Sequence, residues 1–400
     1  MSEPAATLIE LLGSEIDVGV FEQLRNRPPM AILAPPRVQA LLKLHIDNPR
    51  IAWCETLEQA AAQTATVVVF AATVQQEQAA LQRLAAAGRR VRGFYSFLMP
   101  IAVATRPFST YYRDEIKPPP QPQRAERAFA IVCSARTGST RLCTLLIEAG
   151  LGFPAEHLRT PAAIARRAGL EPRRLLQLVS IWSSRGGTFG TKFLVDYFAK
   201  ACGGEFGAAQ RLARSFAEDG LVMFRLDRDP IDRAVSHALA LTSQVWHVDK
   251  VQLPQARAYH AAMRVSDETL RRALYGGAAE AAYMDRVFEV PEARRLDYAQ
   301  LIAAPQAMTA AVAVELGAAP GSGAGPISPA VPIGTDNPAY QRLRERACGL
   351  VLADDGEALE HAIVRGRELT GLDVSELRRW AELQAALEQL RGAAEGRAPS

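Results

Sequence analysis

The chain has 400 residues, of which 48% are hydrophobic and 22% are charged, and Lys plus Arg exceed Asp plus Glu by 46 to 43. A chain of this length is expected to form two or three globular domains with sizeable cores. The near balance of charge argues against a nucleic-acid partner and against a disordered acidic tail, so function must lie in local sites.

The sequence predicts no membrane span, secretory signal, disulfide framework or metal site. The longest apolar stretches, around Thr66 to Val74 and Phe97 to Ala104, are well short of the roughly 20 residues that a membrane-spanning helix needs. The first residues carry acids where a signal would carry a basic region, which favours a cytoplasmic location. The five cysteines contain no CxxC pair and the six histidines no HExxH spacing, which argues against disulfides and against a metal.

Residues 1–115 predict a small N-terminal α/β domain. Short apolar strands alternate with helices, a pattern typical of βαβ units and of a parallel, flavodoxin- or Rossmann-like sheet. In chain order these segments are MAILA, Arg37 to Asn48, RIAWC, Leu57 to Thr64, TVVVFAA, Gln75 to Gly88 and RVRGFY. The first strand-to-helix turn, LAPPRVQ, lacks a glycine that would let the backbone approach a pyrophosphate. We therefore expect an accessory domain with a structural or partner-binding role.

Two loose segments divide the rest of the chain. Residues 116–127 form a proline-rich linker, because the prolines of IKPPPQPQRAER continue neither helix nor strand. Residues 128–317 form the predicted core, and the Gly-, Pro- and Ser-rich residues 318–337 form a flexible segment before a helical tail at 338–400.

The tail carries a capping-box spacing at Asp373 and Glu376. An apolar stripe at helical spacing follows, formed by Leu377, Trp380, Leu383, Leu387 and Leu390. The stripe predicts a helix face that docks on the chain's own core, and a homodimer seam is the alternative.

The first functional motif follows the linker directly. It consists of a predicted buried strand, a small-residue loop and a helix, at Phe129 to Cys133, Ser134 to Ser139 and Thr140 to Ala149. Such a turn directs several backbone N–H groups and the positive end of a helix at one anion. Gly138 allows close approach, and the hydroxyls of Ser139 and Thr140 add donors. The motif therefore predicts a phosphate cradle, and a purely structural turn is the alternative.

This loop differs from the P-loop pattern GxxxxGK[ST]. Cys133 stands in place of the first glycine and Ser139 in place of the lysine,. Because nucleoside triphosphate chemistry needs that lysine and usually Mg²⁺, another phosphate ligand is favoured. Arg136 is placed to hold a phosphate oxygen in a planar, charge-assisted contact.

The turn SARTGSTRL resembles the 5′-phosphosulfate loop of sulfotransferases that use 3′-phosphoadenosine 5′-phosphosulfate (PAPS). It is most similar to the bacterial trehalose 2-sulfotransferase family, whose loop reads close to SPRTGSTLL, with Ala135 in place of the family proline. The resemblance covers about residues 126–317. It implies an α/β, P-loop-like sulfotransferase core with a central parallel sheet. It also implies that the 5′ end of the donor is held by Arg136, Thr137, Gly138, Ser139 and Thr140.

A second motif, LVMFRLDRDPIDRAVSHALAL, meets the demand of PAPS for a basic site at its 3′-phosphate. A strand from Leu221 to Leu226 precedes a turn at Asp229 and Pro230 and a helix from Ile231 onward, with proline near the helix start as expected. The pattern resembles the family's 3′-phosphate motif, which implies that Arg228 and Ser236 contact that phosphate. A surface turn laced with weak ion pairs is the alternative reading, with Arg225 and Arg233 paired to Asp227, Asp229 and Asp232.

The acceptor side resembles the family less closely. In GLGFPAEHLRT, Glu156 matches the family's general base, and the alternatives are that His157 is the base or simply packs. Lys192 matches a lysine in an FG-x-K segment that enters a strand, or is a surface lysine. Trp246 and His247 resemble a Trp-containing acceptor stretch. Tyr298 matches a Tyr-Glu-x-Leu segment at the adenosine end, although Ala299 replaces the glutamate.

Taken together, the sequence favours a cytoplasmic sulfotransferase that moves a sulfuryl group from PAPS to a hydroxyl, without a metal. The resemblance implies a carbohydrate or glycoconjugate acceptor. Two alternatives stay open. One is a metal-dependent small-molecule kinase that uses the same cradle, and the other is a non-catalytic, nucleotide-binding assembly protein in which the N-terminal domain and the tail do the main work.

Overall fold

The computed structural model describes residues 6–25, 30–111, 122–246, 255, 258–259, 262–318, 337–353 and 356–397. The chain divides into two compact units. The first comprises Met1–Ala125 and Glu156–Ser184, and the second comprises Glu126–Ala155 and Arg185–Ser400. Half of the predicted linker and nearly all of the segment 318–337 lie outside the described residues.

The first unit contains the predicted parallel sheet. Its strands are β1 (Met30–Leu33), β2 (Ile51–Cys54), β3 (Thr66–Val69) and β4 (Val91–Gly93), in the order β2-β1-β3-β4. All neighbours are parallel, which confirms the α/β prediction for this segment. Its helices are α1 (Ala6–Leu12), α2 (Asp17–Arg25), α3 (Pro36–His45), α4 (Leu57–Ala61), α5 (Val74–Ala86) and α6 (Met99–Tyr111), with a π-helical turn at Phe94–Leu98.

Two further helices join the first unit from later in the chain, α8 (Thr160–Arg167) and α9 (Pro172–Ser183). α8 packs against α1, and α9 packs against α6. The apolar face of α9 buries Leu175, Leu176 and Val179. The predicted core at 128–317 therefore differs from the structure over residues 156–184, because this apolar face packs on the N-terminal helices.

The second unit is built on another four-stranded parallel sheet. Its strands are β5 (Arg127–Cys133), β6 (Thr188–Leu194), β7 (Leu221–Asp227) and β8 (Arg295–Asp297), in the order β6-β5-β7-β8. β5 is central and buried from Phe129 onward, as its unbroken apolar run predicts,. The helices that follow these strands are α7 (Ser139–Glu148), α10 (Val195–Ala201), α11 (Phe206–Glu218), α12 (Pro230–Ser243), α13 (Asp267–Val287), α14 (Tyr298–Ala303) and α15 (Pro305–Glu315).

The C-terminal helices are part of the second unit. They are α16 (Pro338–Leu352), α17 (Glu357–Thr370), α18 (Val374–Arg378) and α19 (Ala381–Glu395). Their apolar faces share one buried core with α12 and α13, and this core includes Leu377, Trp380, Leu383 and Leu390. Asp373 and Glu376 form the predicted capping box at the start of α18. Four residues of the predicted stripe thus lie in the core of the second unit.

None of the described helices is both long enough and apolar enough to span a membrane. In the described part of the chain, no cluster of three or more His, Cys, Asp or Glu residues is arranged to hold a metal ion. All five cysteines are buried.

Candidate functional site

The strand order of the second unit places a topological switch point at the carboxyl edge of its sheet. The chain leaves β5 for β6 on one side and then crosses to β7 on the other side. The loops that follow β5 and β7 therefore diverge between two adjacent strands, which is where open α/β sheets bind their ligands. Both sequence-predicted anion motifs lie at this point, one after each strand.

The loop between β5 and α7 has the backbone of an anion cradle. Arg136 and Gly138 both adopt left-handed conformations, with φ of 68° and 88°. Such a conformation is uncommon for a non-glycine residue and is found most often where function requires it. Gly138 caps α7 without any side-chain hydrogen bond. The first-turn N–H groups of α7, which have no partner within a helix, are therefore not engaged by a side-chain cap.

Gly138 also meets a close neighbour. A Cβ built on this residue would lie 2.5 Å from two carbons of the Tyr298 ring. Only a glycine therefore allows Tyr298, at the start of α14, to lie over the loop. Thr137 holds the loop from within, because its hydroxyl donates to the Ser134 carbonyl at 3.1 Å.

Lys192 supplies a cation to the same helix end. It lies on β6 in register with Ile131 of β5, and its Nζ lies 3.5 Å from Oγ1 of Thr140 in the first turn of α7. The residue is only 7% exposed. Lys192 on the neighbouring strand thus brings a cation near the helix end where the P-loop pattern has a lysine and this chain has Ser139.

Arg136 links the two motifs. Its Nε donates to Oγ of Ser236 on α12 at 3.1 Å, and its Nη1 donates to the carbonyl of Trp246. The sequence reading placed Arg136 at the 5′ end of the ligand and Ser236 at the 3′ end. In the structure their side chains are in direct contact, so Arg136 belongs to the same polar group as Ser236.

Arg228 follows β7 and completes this group. Its Nη1 donates to the Arg136 carbonyl at 3.0 Å, and its Nη2 donates to the Tyr340 hydroxyl at 3.3 Å. The Tyr298 ring lies 4.4 Å from the guanidinium carbon, within the range of a cation–π contact,. Nε of Arg228 is buried and has no hydrogen-bond partner among the described residues.

The charge of these two arginines is not compensated by any carboxylate of the described residues. No carboxylate in the described part of the chain forms an ion pair with Arg136 or Arg228. Burial, followed by the like charge of Arg228, lowers the pKa of Arg136 to about 10. Two adjacent guanidinium groups repel each other, and a bound anion would relieve both the repulsion and the missing hydrogen bond.

The other arginines of this motif are structural. Arg225 is paired with Asp227 at 2.8 Å and with Asp285, so its predicted pairing with Asp227 is confirmed. Arg233 does not pair with Asp229 or Asp232 as the alternative reading proposed. It is buried, and its Nη1 lies 3.1 Å from Glu280 on α13.

Glu280 also accepts from Arg365 of α17 at 2.8 Å, so two arginines hold its pKa below the ordinary value despite burial. Arg233 reaches Glu280 because the residue in its path is Gly277. A Cβ there would lie 1.3 Å from Nη2 of Arg233. This network fixes α12, the helix that carries Ser236.

The two candidate bases lie in the first unit. The Glu156 side chain is 9% exposed and accepts from Nη1 of Arg159 at 3.1 Å. Arg159 also contacts Glu15 at 3.0 Å. His157 is 1% exposed, and burial lowers its pKa to about 3 in spite of the nearby Glu156 charge. The imidazole is therefore neutral at physiological pH and a weak proton acceptor.

The equivalent turn in the first unit has a different character. It follows β1 as Ala34, Pro35 and Pro36, and the Gln39 side chain donates to the carbonyls of Ala34 at 3.0 Å and Cys54 at 2.8 Å. A buried glutamine thus occupies the turn after β1.

Sequence reasoning missed one member of the site. Tyr340 is 112 residues away from Arg228 along the chain, and nothing in the sequence around it differs from an ordinary amphipathic helix. The backbone carbonyl of Trp246 accepts a hydrogen bond from Arg136. Because this contact does not involve the aromatic side chain, the residue type could not have predicted it. His247 lies outside the described residues.

Comparison with known proteins finds a sulfotransferase among the structural neighbours of the chain. No protein family model and no curated protein matches the chain. The chain is similar to a solved sulfotransferase from Alicyclobacillus acidocaldarius, with 16% identity over 64% of this chain and all of the other, and a TM-score of 0.32.

Proposed function

We propose that the second unit binds PAPS and transfers its sulfuryl group to a hydroxyl acceptor. The observation that carries the proposal lies at the switch point of the sheet, where Arg228 donates to the Arg136 carbonyl and the Arg136 side chain donates to Ser236, while neither arginine is paired with a described carboxylate. A ligand with one phosphate at a helix N-terminus and a second phosphate beside two arginines fits this arrangement.

In the proposed site, different residues hold the two ends of the donor. Arg228, Ser236 and Arg136 would hold the 3′-phosphate, because their polar groups lie together and Nε of Arg228 lacks a partner among the described residues. The first turn of α7 and Lys192 would hold the 5′-phosphosulfate. Relative to the sequence reading, this moves the Arg136 side chain toward the 3′ end and leaves the backbone cradle at the 5′ end.

The reaction itself is an in-line displacement at sulfur. The acceptor oxygen forms a bond to sulfur while the bond from sulfur to the 5′-phosphate oxygen breaks. The electron pair of the broken bond stays on that phosphate oxygen, giving 3′,5′-adenosine bisphosphate. Lys192 at the α7 N-terminus would stabilise this developing charge. The acceptor proton passes to a base, for which Glu156 is the proposed residue and His157, neutral and buried, the weaker alternative.

A binding experiment tests the two-ended site. Isothermal calorimetry should show that Arg228→Ala weakens 3′,5′-adenosine bisphosphate by roughly 10- to 100-fold and adenosine 5′-phosphosulfate much less. Arg295→Ala is the matched control, since this arginine of the same unit is ion-paired with Asp285 and Glu292. Equal losses for both ligands would contradict the assignment of Arg228.

A turnover experiment tests the chemistry. Sulfuryl transfer from labelled PAPS to a panel of sugars, glycolipids and small hydroxyl compounds should give labelled product without added metal. Glu156→Gln should slow transfer by roughly 10²- to 10⁴-fold and leave donor affinity unchanged. Turnover of ATP that requires Mg²⁺ would instead favour a kinase, and tight PAPS binding without transfer to any acceptor would favour a nucleotide-binding assembly protein.

A further inference from the structure

The C-terminal helices reach the guanidinium of Arg228. Two of its nitrogens are fixed by an acceptor each, the Arg136 carbonyl and the Tyr340 hydroxyl, at 3.0 and 3.3 Å. The Tyr298 ring lies along one side of the group at 4.4 Å. Of these three neighbours, only Tyr340 comes from outside the segment 126–317 that resembles the sulfotransferases.

Tyr340 is itself held in one orientation. It lies near the start of α16 and is 6% exposed. Its hydroxyl donates to the Asp232 carbonyl at 2.7 Å. Because its single proton is committed to that carbonyl, the oxygen can only accept from Arg228. Burial raises the pKa of Tyr340 above its usual value, so the phenol stays protonated.

The rest of the tail holds the same turn. Arg344 of α16 is ion-paired with Asp232 at 3.2 Å, and Arg397 is ion-paired with Asp229. Asp229 is the N-cap of α12, since its side chain accepts from the Asp232 N–H at 2.9 Å. Asp229 and Asp232 are thus neutralised by basic residues of the tail, which leaves Arg228 as the charge of this turn without a carboxylate partner among the described residues.

We infer that Tyr340 is a positioning residue for the 3′-phosphate. It fixes the guanidinium of Arg228, and through Tyr340 the C-terminal helices set the preference of the site for nucleotides that carry a 3′-phosphate. The inference rests on the proposed function. It assigns the tail a part in ligand selection that a purely structural tail would lack.

The test compares two conservative variants of buried tyrosines in the same unit. Tyr340→Phe keeps the ring and removes only the hydroxyl. The control is Tyr275→Phe, whose hydroxyl donates to the Leu350 carbonyl at 3.5 Å in the core shared with Tyr340. Calorimetry on the full chain measures affinities for 3′,5′-adenosine bisphosphate and for adenosine 5′-monophosphate. Circular dichroism and thermal unfolding check that both variants fold.

We expect Tyr340→Phe to reduce the ratio of these two affinities by about 10-fold, the effect of one hydrogen bond to a charged group, and Tyr275→Phe to leave it unchanged. In an Arg228→Ala background, Tyr340→Phe should change the ratio no further. An unchanged ratio in Tyr340→Phe, or an equal loss of both affinities, overturns the inference alone. A wild-type chain that binds neither nucleotide overturns the proposed function and this inference with it.

Discussion

Replacement of Gly138 by alanine tests the geometry of the cradle directly. Two costs add at this position. The backbone has φ of 88°, where an alanine costs about 1 kcal/mol relative to glycine. The new Cβ would also lie 2.5 Å from two carbons of Tyr298, more than 1 Å inside the ordinary contact distance of roughly 3.5–4.0 Å. Relief of that overlap requires the ring or the loop to shift, at about 1–3 kcal/mol. The free energy of unfolding should therefore fall by about 2–4 kcal/mol.

A second glycine of the same unit separates the two costs. Gly220 has a similar φ of 81°, and a Cβ built there meets no heavy atom within 4 Å. Gly220→Ala should therefore cost only the backbone part, about 1 kcal/mol. In a Tyr298→Ala background, the cost of Gly138→Ala should fall to a similar value, because the ring that the new Cβ would contact is absent.

Urea unfolding of the full-length wild type, the three single variants and the double variant, followed by circular dichroism, gives the free energies of unfolding that these comparisons need. Calorimetry with 3′,5′-adenosine bisphosphate should show in parallel that Gly138→Ala weakens binding and that Gly220→Ala does not. Equal destabilisation by the two alanines would refute the close approach of Tyr298 to the loop. The close approach would also be refuted if the cost of Gly138→Ala were undiminished in the Tyr298→Ala background.

Three further predictions follow from single residues. Arg136→Gly should be more stable than Arg136→Ala by about 1 kcal/mol in urea, because glycine adopts the left-handed conformation without strain; both should lose nucleotide affinity alike, and equal stabilities would contradict the strained backbone. Lys192→Met, which keeps the apolar stem, should lower kcat for sulfuryl transfer by roughly 10²- to 10³-fold, and an unchanged kcat would remove Lys192 from the reaction. Burial lowers the pKa of His157 to about 3, so its imidazole binds a proton more tightly in the unfolded chain than in the folded one. The free energy of unfolding should therefore fall by about 2 kcal/mol from pH 7 to pH 5. His157→Gln should flatten this dependence, and parallel stability curves for the two proteins would count against the buried neutral imidazole.

The local elements around the site could be predicted because each depends on adjacent residues. The apolar run ending at Cys133 and the small residues after it place a strand, a loop and a helix within one or two residues of those observed. The same holds for β7 and α12, where Pro230 marks the helix start. Once both turns follow neighbouring parallel strands, their meeting at one edge follows from the topology.

The remaining contacts depend on which helices pack together, and local patterns do not encode that choice. Arg233 stands near three aspartates in the sequence and yet pairs with Glu280, because α13 packs on α12 and Gly277 leaves space for the guanidinium. Tyr340 reaches Arg228 only because α16 packs on α12. Residues 156–184 follow the core motif along the chain but bury their apolar faces in the other unit.

The discontinuity of the first unit affects how the protein can be made and cut. The backbone passes between the two units three times, after Ala125, Ala155 and Ser184. On the ribosome, the first unit cannot be completed until α9 emerges. By then β5 and α7 have already been synthesised, while the other strands of their sheet, β6, β7 and β8, have not. A fragment that begins at residue 126 would contain α8 and α9 but would lack the N-terminal helices on which they pack. Leu175 and Leu176 would then be uncovered. Expression of residues 126–400 alone would therefore yield an aggregation-prone polypeptide unless residues 156–184 were excised as well.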